Sequence, residues 1–251
     1  MYKIPANTLF TGKNLVFVPE CPSTNTLAFE LSQQSPVIEG TVVITDVQTA
    51  GKGQRGNTWE AEPYKNLTFS LILKPHFLAV NKQFYLNVVI CLALNDYLKE
   101  RTSATVYIKW PNDVLVHEKK ISGILIENQL QGTLIANSIV GIGFNMNQKQ
   151  FSSPVATSLT LVTGNDFDPG EELSVILEFI ERRYLQLRQG GYQHLMDEYL
   201  AALYRRHKKA MFSSNGEIFE GEIEDLDEWG KLRIKTQDGT RAFGVKEVRY
   251  E

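Results

Sequence analysis

The amino-acid sequence predicts an α+β fold, in which a mixed or antiparallel sheet is flanked by helices and followed by a small C-terminal β domain. Three observations lead there. Apolar, β-rich runs at residues 106–109, 113–117, 120–130 and 133–144 follow one another across short turns, the pattern of an antiparallel meander. Segments 82–101, 173–188 and 192–204 carry apolar residues at helical spacing. Beyond residue 208 the helical pattern stops and short strands take over.

At 251 residues the chain has room for one large domain, or for a large and a small one. Apolar residues make up 43% and charged residues 22%, ample material for a core. The net charge of −3, from 26 basic and 29 acidic side chains, gives no sign of general nucleic-acid affinity. Cys21 and Cys91 sit in no ligand-spaced cluster, which argues against a disulfide framework or a zinc site. The N-terminus lacks the apolar segment of a signal peptide and no run approaches membrane-spanning length. The expected compartment is the cytoplasm, with no membrane partner.

Taken in order, residues 15–18 read as a brief strand, and Ser23, Thr24 and Asn25 are good N-cap types before a short helix over 27–31. The apolar run 41–45 feeds the stretch from Asp46 to Trp59, which holds Gly51, Gly53 and Gly56 beside Lys52 and Arg55. Glycine lets a backbone approach a ligand closely, and the cations beside it suit an anionic group. The stretch therefore reads as a phosphate- or carboxylate-gripping loop at the end of a strand. Gly51-x-Gly53-x-x-Gly56 also matches the dinucleotide fingerprint, but that motif needs a helix directly after it. Here Trp59-Glu60-Ala61-Glu62-Pro63 leads into the β-rich run 67–73. A P-loop fails as well, because Asn57 stands where the phosphate-binding lysine would be. A plain glycine-rich hairpin is the structural alternative.

Run 67–73 is a core strand ended by Lys74-Pro75, and 82–101 is apolar on nearly every turn, a largely buried helix packed on the sheet. Strands 106–109 and 113–117 flank Trp110-Pro111-Asn112. Glu118-Lys119 forms the next turn, strand 120–130 follows, Gln131-Gly132 turns the chain, and 133–144 closes the meander. Residues 164–169 are a loop. The helix over about 173–188 places Ile176, Phe179, Ile180, Tyr184 and Leu187 on one face, and the helix over about 192–204 carries Leu195, Tyr199 and Leu203. The basic run Arg205-Arg206-His207-Lys208-Lys209 reads as a solvated helix end and linker. Strands 217–226, 231–236 and 240–245, turning at Trp229-Gly230 and Asp238-Gly239, suit a small SH3-like β-barrel. Such a unit is too small to be comfortable alone and is expected to dock on the rest. The expected division is 1–207 and 208–251.

Polar residues interrupt the apolar strands in a telling place. Lys109, Asn112 and Asp113 lie within the otherwise hydrophobic stretch 106–116. A buried charge demands a partner or a ligand, so the alternatives to a ligand site are a structural Lys109–Asp113 pair or a simple Asn112-Asp113 turn. Gly141 and Gly143 inside the last strand mark a close approach of ligand or backbone. Asn145 ends that strand, either at the same site or as an ordinary turn residue.

Five stretches stand in order: Ser23-Thr24-Asn25; the run from Gln48 to Trp59; Lys109-Trp110-Pro111-Asn112-Asp113; Lys120-Ile121-Ser122-Gly123-Ile124-Leu125-x-Glu127; and Gly141-x-Gly143-x-Asn145-Met146-Asn147. Together they resemble the biotin–protein ligases, strongly over roughly residues 15–150 and weakly beyond. The resemblance implies the biotin/lipoate ligase catalytic fold, similar to class II synthetases, with an SH3-like C-terminal domain. It implies the activity of a biotin–[acetyl-CoA-carboxylase] ligase. ATP would activate biotin as biotinyl-5'-AMP, and the biotinyl group would pass to a lysine of the biotin carboxyl carrier protein of a biotin-dependent carboxylase. Mg²⁺ is implied by the need to neutralise ATP, with its ligands unassigned.

By the same resemblance, Ser23, Thr24, Asn25 and Gln48 bond the biotin ring, while Lys52, Gly53 and Gln54 cover it. Lys120 bridges the biotin carboxyl and the α-phosphate. Arg55, Asn57, Trp59, Asn112, Asp113 and Asn145 fall on the nucleotide side, and Lys109 and Gly123 belong to the same site. Lys120, Lys52 and Asp113 are the expected catalytic residues. Gln54 and Asn57 depart from a pattern that often has arginine there, which bears on retention of the intermediate rather than on reaction class. Fewer than twenty residues precede the first family strand, so an enzyme without a DNA-reading repressor domain is expected, with no nucleic-acid partner, as a monomer or homodimer. The competing readings are a lipoate ligase or octanoyltransferase, whose Arg-Arg-x-x-Gly-Gly-Gly-Ala-Val loop is absent here, and a non-catalytic DNA-binding regulator of the same fold.

Overall fold

The computed structural model describes residue 2, residues 4–34 and residues 37–251, and of Arg55 it describes the backbone alone. The chain begins with β1 (Leu15–Cys21), α1 (Thr24–Gln34) and β2 (Thr41–Gln48), and α1 carries it from β1 to a parallel β2. β3 (Leu67–Leu73), α2 (Phe84–Arg101), β4 (Val106–Lys109), β5 (Asp113–Val116), β6 (Lys119–Gln131) and β7 (Leu134–Phe144) follow. Among the described residues these strands form one seven-stranded sheet in the order β1-β2-β3-β7-β6-β5-β4. It is antiparallel except for the first pair. Then come α3 (Leu159–Thr163), α4 (Pro169–Arg188) and α5 (Tyr192–Ala201).

The period-two alternation of a strand decides which helix covers which face. In β2, Val42 and Ile44 join the large core with α2, whereas Val43 packs with Ala28 of α1, Ile72 and Ile139. Helix α2 is apolar all round because it lies between the sheet and α4 and α5. No helix among the described residues is long and apolar enough to cross a membrane.

The C-terminal segment forms β8 (Lys209–Ser214), β9 (Glu217–Leu226), β10 (Leu232–Thr236), β11 (Gly239–Phe243) and β12 (Arg249–Tyr250). Among the described residues they make a five-stranded sheet, ordered β11-β10-β9-β8-β12. The short, polar β8 and β12 lack a readable alternation and exist through their pairing with each other and with β9. Phe212, Ile223, Leu232, Ile234, Phe243 and Val248 join the same core cluster as α2, so the small unit is docked through apolar contact. At Gly230, φ is 80°, and a Cβ there would fall 2.2 Å from Phe84 Cγ. Only glycine lets this turn reach Trp110, whose Nε1 donates to the Gly230 carbonyl at 2.9 Å.

Several boundaries differ from the sequence reading, each for a local reason. Residues 168–169 begin α4 rather than ending a loop, because the Asp168 side chain accepts the Glu171 N–H at 2.9 Å and Pro169 fills the first turn. The basic run is no helix end: α5 stops at Ala201, and Arg205 and His207 take φ values of 59° and 56° in a tight connector. His117, at φ 54°, moves the β5–β6 turn to His117-Glu118 and leaves Lys119 inside β6.

Glu181 of α4 ties down the N-terminal lead. Nearly fully buried, it accepts the backbone N–H groups of Leu9, Phe10 and Thr11 at 2.6, 2.9 and 2.9 Å. Burial pushes its pKa up, the three N–H groups pull it down further, and it settles below the ordinary carboxylate value. Its contribution is thus present above the unfolded pKa of about 4.3 and is lost as pH falls through the lowered folded value. Glu181→Ala should cost about 3 kcal/mol at neutral pH, because buried N–H groups lose their acceptor. Urea unfolding of both proteins checks this, and the gap between them should close in acid.

Candidate active site

β6 and β7 run side by side through the middle of the sheet, with Gly123 opposite Gly143 and Leu125 opposite Gly141. Their glycines leave a strip of bare backbone, and a cleft of about 260 Å³ lies over it. Two of the site's own side chains rest on that strip. A Cβ on Gly141 would fall 2.2 Å from Asn25 Oδ1, and one on Gly143 would fall 2.2 Å from Trp59 Cε2.

One end of the cleft is lined by uncharged polar side chains joined in a network. Asn25, almost wholly buried, donates through Nδ2 to the Leu125 carbonyl at 3.2 Å and to Glu127 Oε2 at 2.8 Å. Its Oδ1 accepts from Ser70 Oγ at 2.6 Å, and Ser70 lies 2.8 Å from Thr24 Oγ1. The first amide of α1, that of Thr24, donates to Gln48 Oε1 at 3.0 Å. Helix capping thus falls to Gln48 from the end of β2, and Ser23, Thr24 and Asn25 line the cleft.

The glycine loop covers this network as a small hairpin. Lys52 bridges to Thr58, Gly53 N–H donates to the Asn57 carbonyl at 2.7 Å, and Trp59 N–H donates to the Gly51 carbonyl at 3.0 Å. Only a single 3-10 turn, Gln54–Gly56, interrupts it, so the helix that a dinucleotide fingerprint requires is missing. Lys52 Nζ donates to Thr26 Oγ1 at 2.8 Å and fastens the loop to α1. Gly53, Gln54, Asn57 and Trp59 all face the cleft, while the Arg55 side chain lies outside the described residues.

The other end is charged. Lys120 Nζ lies 2.7 Å from Asp113 Oδ1 and 5.5 Å from the Trp59 ring centre. Asp113 therefore pairs with Lys120 and not with Lys109, although Lys109 and Asp113 face each other in the β4–β5 register. Lys109 does not line the cleft: its ammonium sits 4.9 Å from the Tyr250 ring centre. Burial lowers its pKa, against the pull of Asp113 and together with Lys120 and Arg205. Asn112 lines the cleft while its Nδ2 donates to the Ile124 carbonyl, pinning β5 to β6. Asn145 stands behind the lining, with Nδ2 donating to the Thr157 carbonyl at 3.0 Å and Oδ1 buried without a hydrogen-bond partner.

Regular alternation back from Gly123 would aim Ile121 and Lys119 at the cleft. Val114 pairs with Ser122 but Leu115 pairs with Lys120, so Ile121 is an extra residue in β6. That β-bulge shifts the phase, sends Ile121 into the core and turns Lys120 onto the cleft. The Lys120 backbone is also held from its other side, by Val155 and Thr157.

The reading of the sequence did not single out Thr58, Thr68, Ile142 or Lys246, which also line the cleft. Thr68 and Ile142 look like ordinary strand residues. Lys246 belongs to the small unit, and no local signal connects it to the site.

The Biotin/lipoate A/B protein ligase family model matches residues 17–145. The chain is 31% identical over 237 residues to the biotin–[acetyl-CoA-carboxylase] ligase of Paracoccus denitrificans, covering 91% of this chain and 97% of that protein. It is 29% identical over 238 residues to the bifunctional ligase/repressor BirA of Bacillus subtilis, covering 92% of this chain and 72% of that one. Among solved structures, the biotin protein ligase from Aquifex aeolicus in complex with biotin and ATP is similar at a TM-score of 0.78 and 29% identity, over 95% of this chain and all of that one. Fold, motif order and these likenesses converge: the chain belongs to the biotin/lipoate A/B protein ligase family.

Proposed function

We infer that this chain is a biotin protein ligase. It activates biotin with ATP as biotinyl-5'-AMP and transfers the biotinyl group to a lysine of a biotin carboxyl carrier protein. The observation that carries this is the cleft's division. A hydrogen-bonding network built on Asn25 presents uncharged side chains at one end and Lys120 lines the other, while Lys52 and Lys246 line the cleft at the glycine loop, in a chain of net charge −3. The first suits an uncharged ureido ring, and the second suits carboxylate and phosphate together.

In the first step a biotin carboxylate oxygen attacks the α-phosphorus and the bond to pyrophosphate breaks. In the second, the carrier amine attacks the acyl carbon and AMP leaves. Both gather negative charge on phosphoryl oxygens, so positioning and cations do most of the catalysis. We assign Lys120 to the junction of carboxylate and α-phosphate, with Asp113 orienting its ammonium. Ser23, Thr24, Asn25 and Gln48 hold the ring. Lys52, Gly53 and Gln54 cover it, and Asn57, Trp59 and Asn112 border the nucleotide. Asn145 and Lys109 support these from behind.

Mg²⁺ fits this cleft as a cation carried mainly by phosphate. Among the described residues no group of three His, Cys, Asp or Glu could hold a metal, and Asp113 is the single carboxylate lining the cleft. A site completed by phosphates needs only one or two protein carboxylates. Asp113, which lines the cleft, meets that need. Bound there, Mg²⁺ would draw charge from the phosphates. The basic run at 205–209 is answered by Glu220, Glu222 and backbone carbonyls, so we give it no nucleic-acid role.

The test is ATP–pyrophosphate exchange, expected with biotin and absent with lipoate. Exchange that depends on lipoate would move the chain to the other branch of its family. We also expect removal of residues 213–251 to impair carrier biotinylation more than biotin binding. Gly230, Lys246 and Tyr250 touch Trp110, Gln54 and Lys109 around the charged end, whereas the Asn25 network lies wholly within the larger unit. Calorimetry with biotin set beside carrier labelling decides this, and wild-type labelling by the truncated protein would contradict it.

A further inference from the structure

Residues 244–247 form a turn closed twice by Glu247, whose N–H donates to the Gly244 carbonyl at 3.0 Å and whose carboxylate accepts the Gly244 N–H at 2.6 Å. Inside it, Lys246 holds φ at 67°, a left-handed conformation that lysine rarely adopts and glycine takes freely. From there Lys246 Nζ reaches across 192 positions of sequence and donates to the Gln54 carbonyl at 2.6 Å. Among the described residues, the loop's other ties lie toward its base, at Gly51–Trp59, Gly53–Asn57 and Lys52–Thr26. Its own bond to the Gln54 carbonyl, from Asn57 N–H, is a long 3.3 Å. The side chains that line the cleft from this tip, Gln54 and Asn57, are neutral. Among the described side chains, the cation that reaches this point is Lys246, from the small unit.

We propose that Lys246 is a positioning residue, whose ammonium holds the tip of the glycine loop closed so that the small unit sets how long biotinyl-5'-AMP is retained before a carrier lysine arrives. This rests on the ligase reading. A charge-assisted hydrogen bond at a loop tip is strong enough to govern opening and weak enough to be released. The backbone strain is consistent with a residue placed for its side chain, since the turn alone would favour glycine.

Lys246→Gly separates the two roles, because it relaxes the backbone and removes the ammonium. Lys246→Arg keeps the charge and serves as the rescue. Labelled adenylate formed on each protein is chased with unlabelled biotin, and its loss is timed. We expect roughly tenfold faster loss in Lys246→Gly, near-wild-type retention in Lys246→Arg, and no loss of thermal stability in the glycine variant. In the proteins alone, tryptic cleavage within residues 52–55 should quicken in the same order. Equal adenylate lifetimes, or equal cleavage rates, across the three proteins would overturn the proposal. If the wild type made no adenylate, the ligase reading would fall and retention with it. The cleavage rates would still decide whether Lys246 holds the loop.

Discussion

Lys120→Ala should slow biotin-dependent pyrophosphate exchange by about two to three decades, a loss of about 3–4 kcal/mol in transition-state stabilisation. Lys119→Ala should leave it nearly unchanged, within about 0.5 kcal/mol in stability as for other exposed positions. The two lysines are neighbours in sequence and differ only in where β6 aims them. Lys119 is exposed, whereas Lys120 is half-buried, paired with Asp113 at 2.7 Å and set against Trp59 and the bare backbone of Gly123. An ammonium held there meets charge that develops when carboxylate and α-phosphate are driven together, and it needs no rearrangement to do so. Both variants would be assayed at saturating ATP and biotin after their folding is confirmed. Equal, mild effects would mean that the pair is only a solvated strand end, and the site assignment would fail with it.

Gly141→Ala should weaken biotin binding by about a hundredfold while leaving secondary structure intact. The new Cβ would stand 2.2 Å from Asn25 Oδ1, and Asn25 has nowhere to retreat. Its amide is anchored to Leu125 and Glu127, and its oxygen receives the Ser70 hydroxyl. Displacing it leaves buried polar partners unsatisfied at about 1–3 kcal/mol each and moves the ring-binding groups together. Ser70→Ala, which removes the hydroxyl's contacts with Asn25 and Thr24 but adds no bulk and leaves Asn25 in place, should cost less, about 1–2 kcal/mol. Titration calorimetry would rank the two, and wild-type affinity in Gly141→Ala would show that the network is packing rather than a binding surface.

Much of the architecture is legible because it follows from short-range rules. Alternating apolar residues mark β3 and the meander of β4 to β7, helical spacing marks α2, and glycines inside β7 mark the strip over which the cleft lies. β8 and β12 are not legible in this way, because short polar strands exist only through their partners. The 205–209 run misleads for a related reason. Its cations look like a helix end, but two left-handed residues and nearby glutamates make it a connector.

The sequence by itself determined the α+β class, the meander, the loop without a following helix, and the five stretches that supply most of the cleft. Only the tertiary structure decided the geometry among them. The partner of Asp113 is Lys120 rather than Lys109 because a one-residue bulge resets the phase of β6, and a bulge is a property of the β5–β6 register. The cap of α1 comes from Gln48, and the strip of Gly123, Gly141 and Gly143 holds Trp59 and Asn25, because distant segments are brought within a few ångströms. Lys246 enters the site from 192 positions away from the loop tip it holds. Periodicity and propensity report what a residue does with its near neighbours along the chain, whereas a site of this kind is made where strands pair and domains dock.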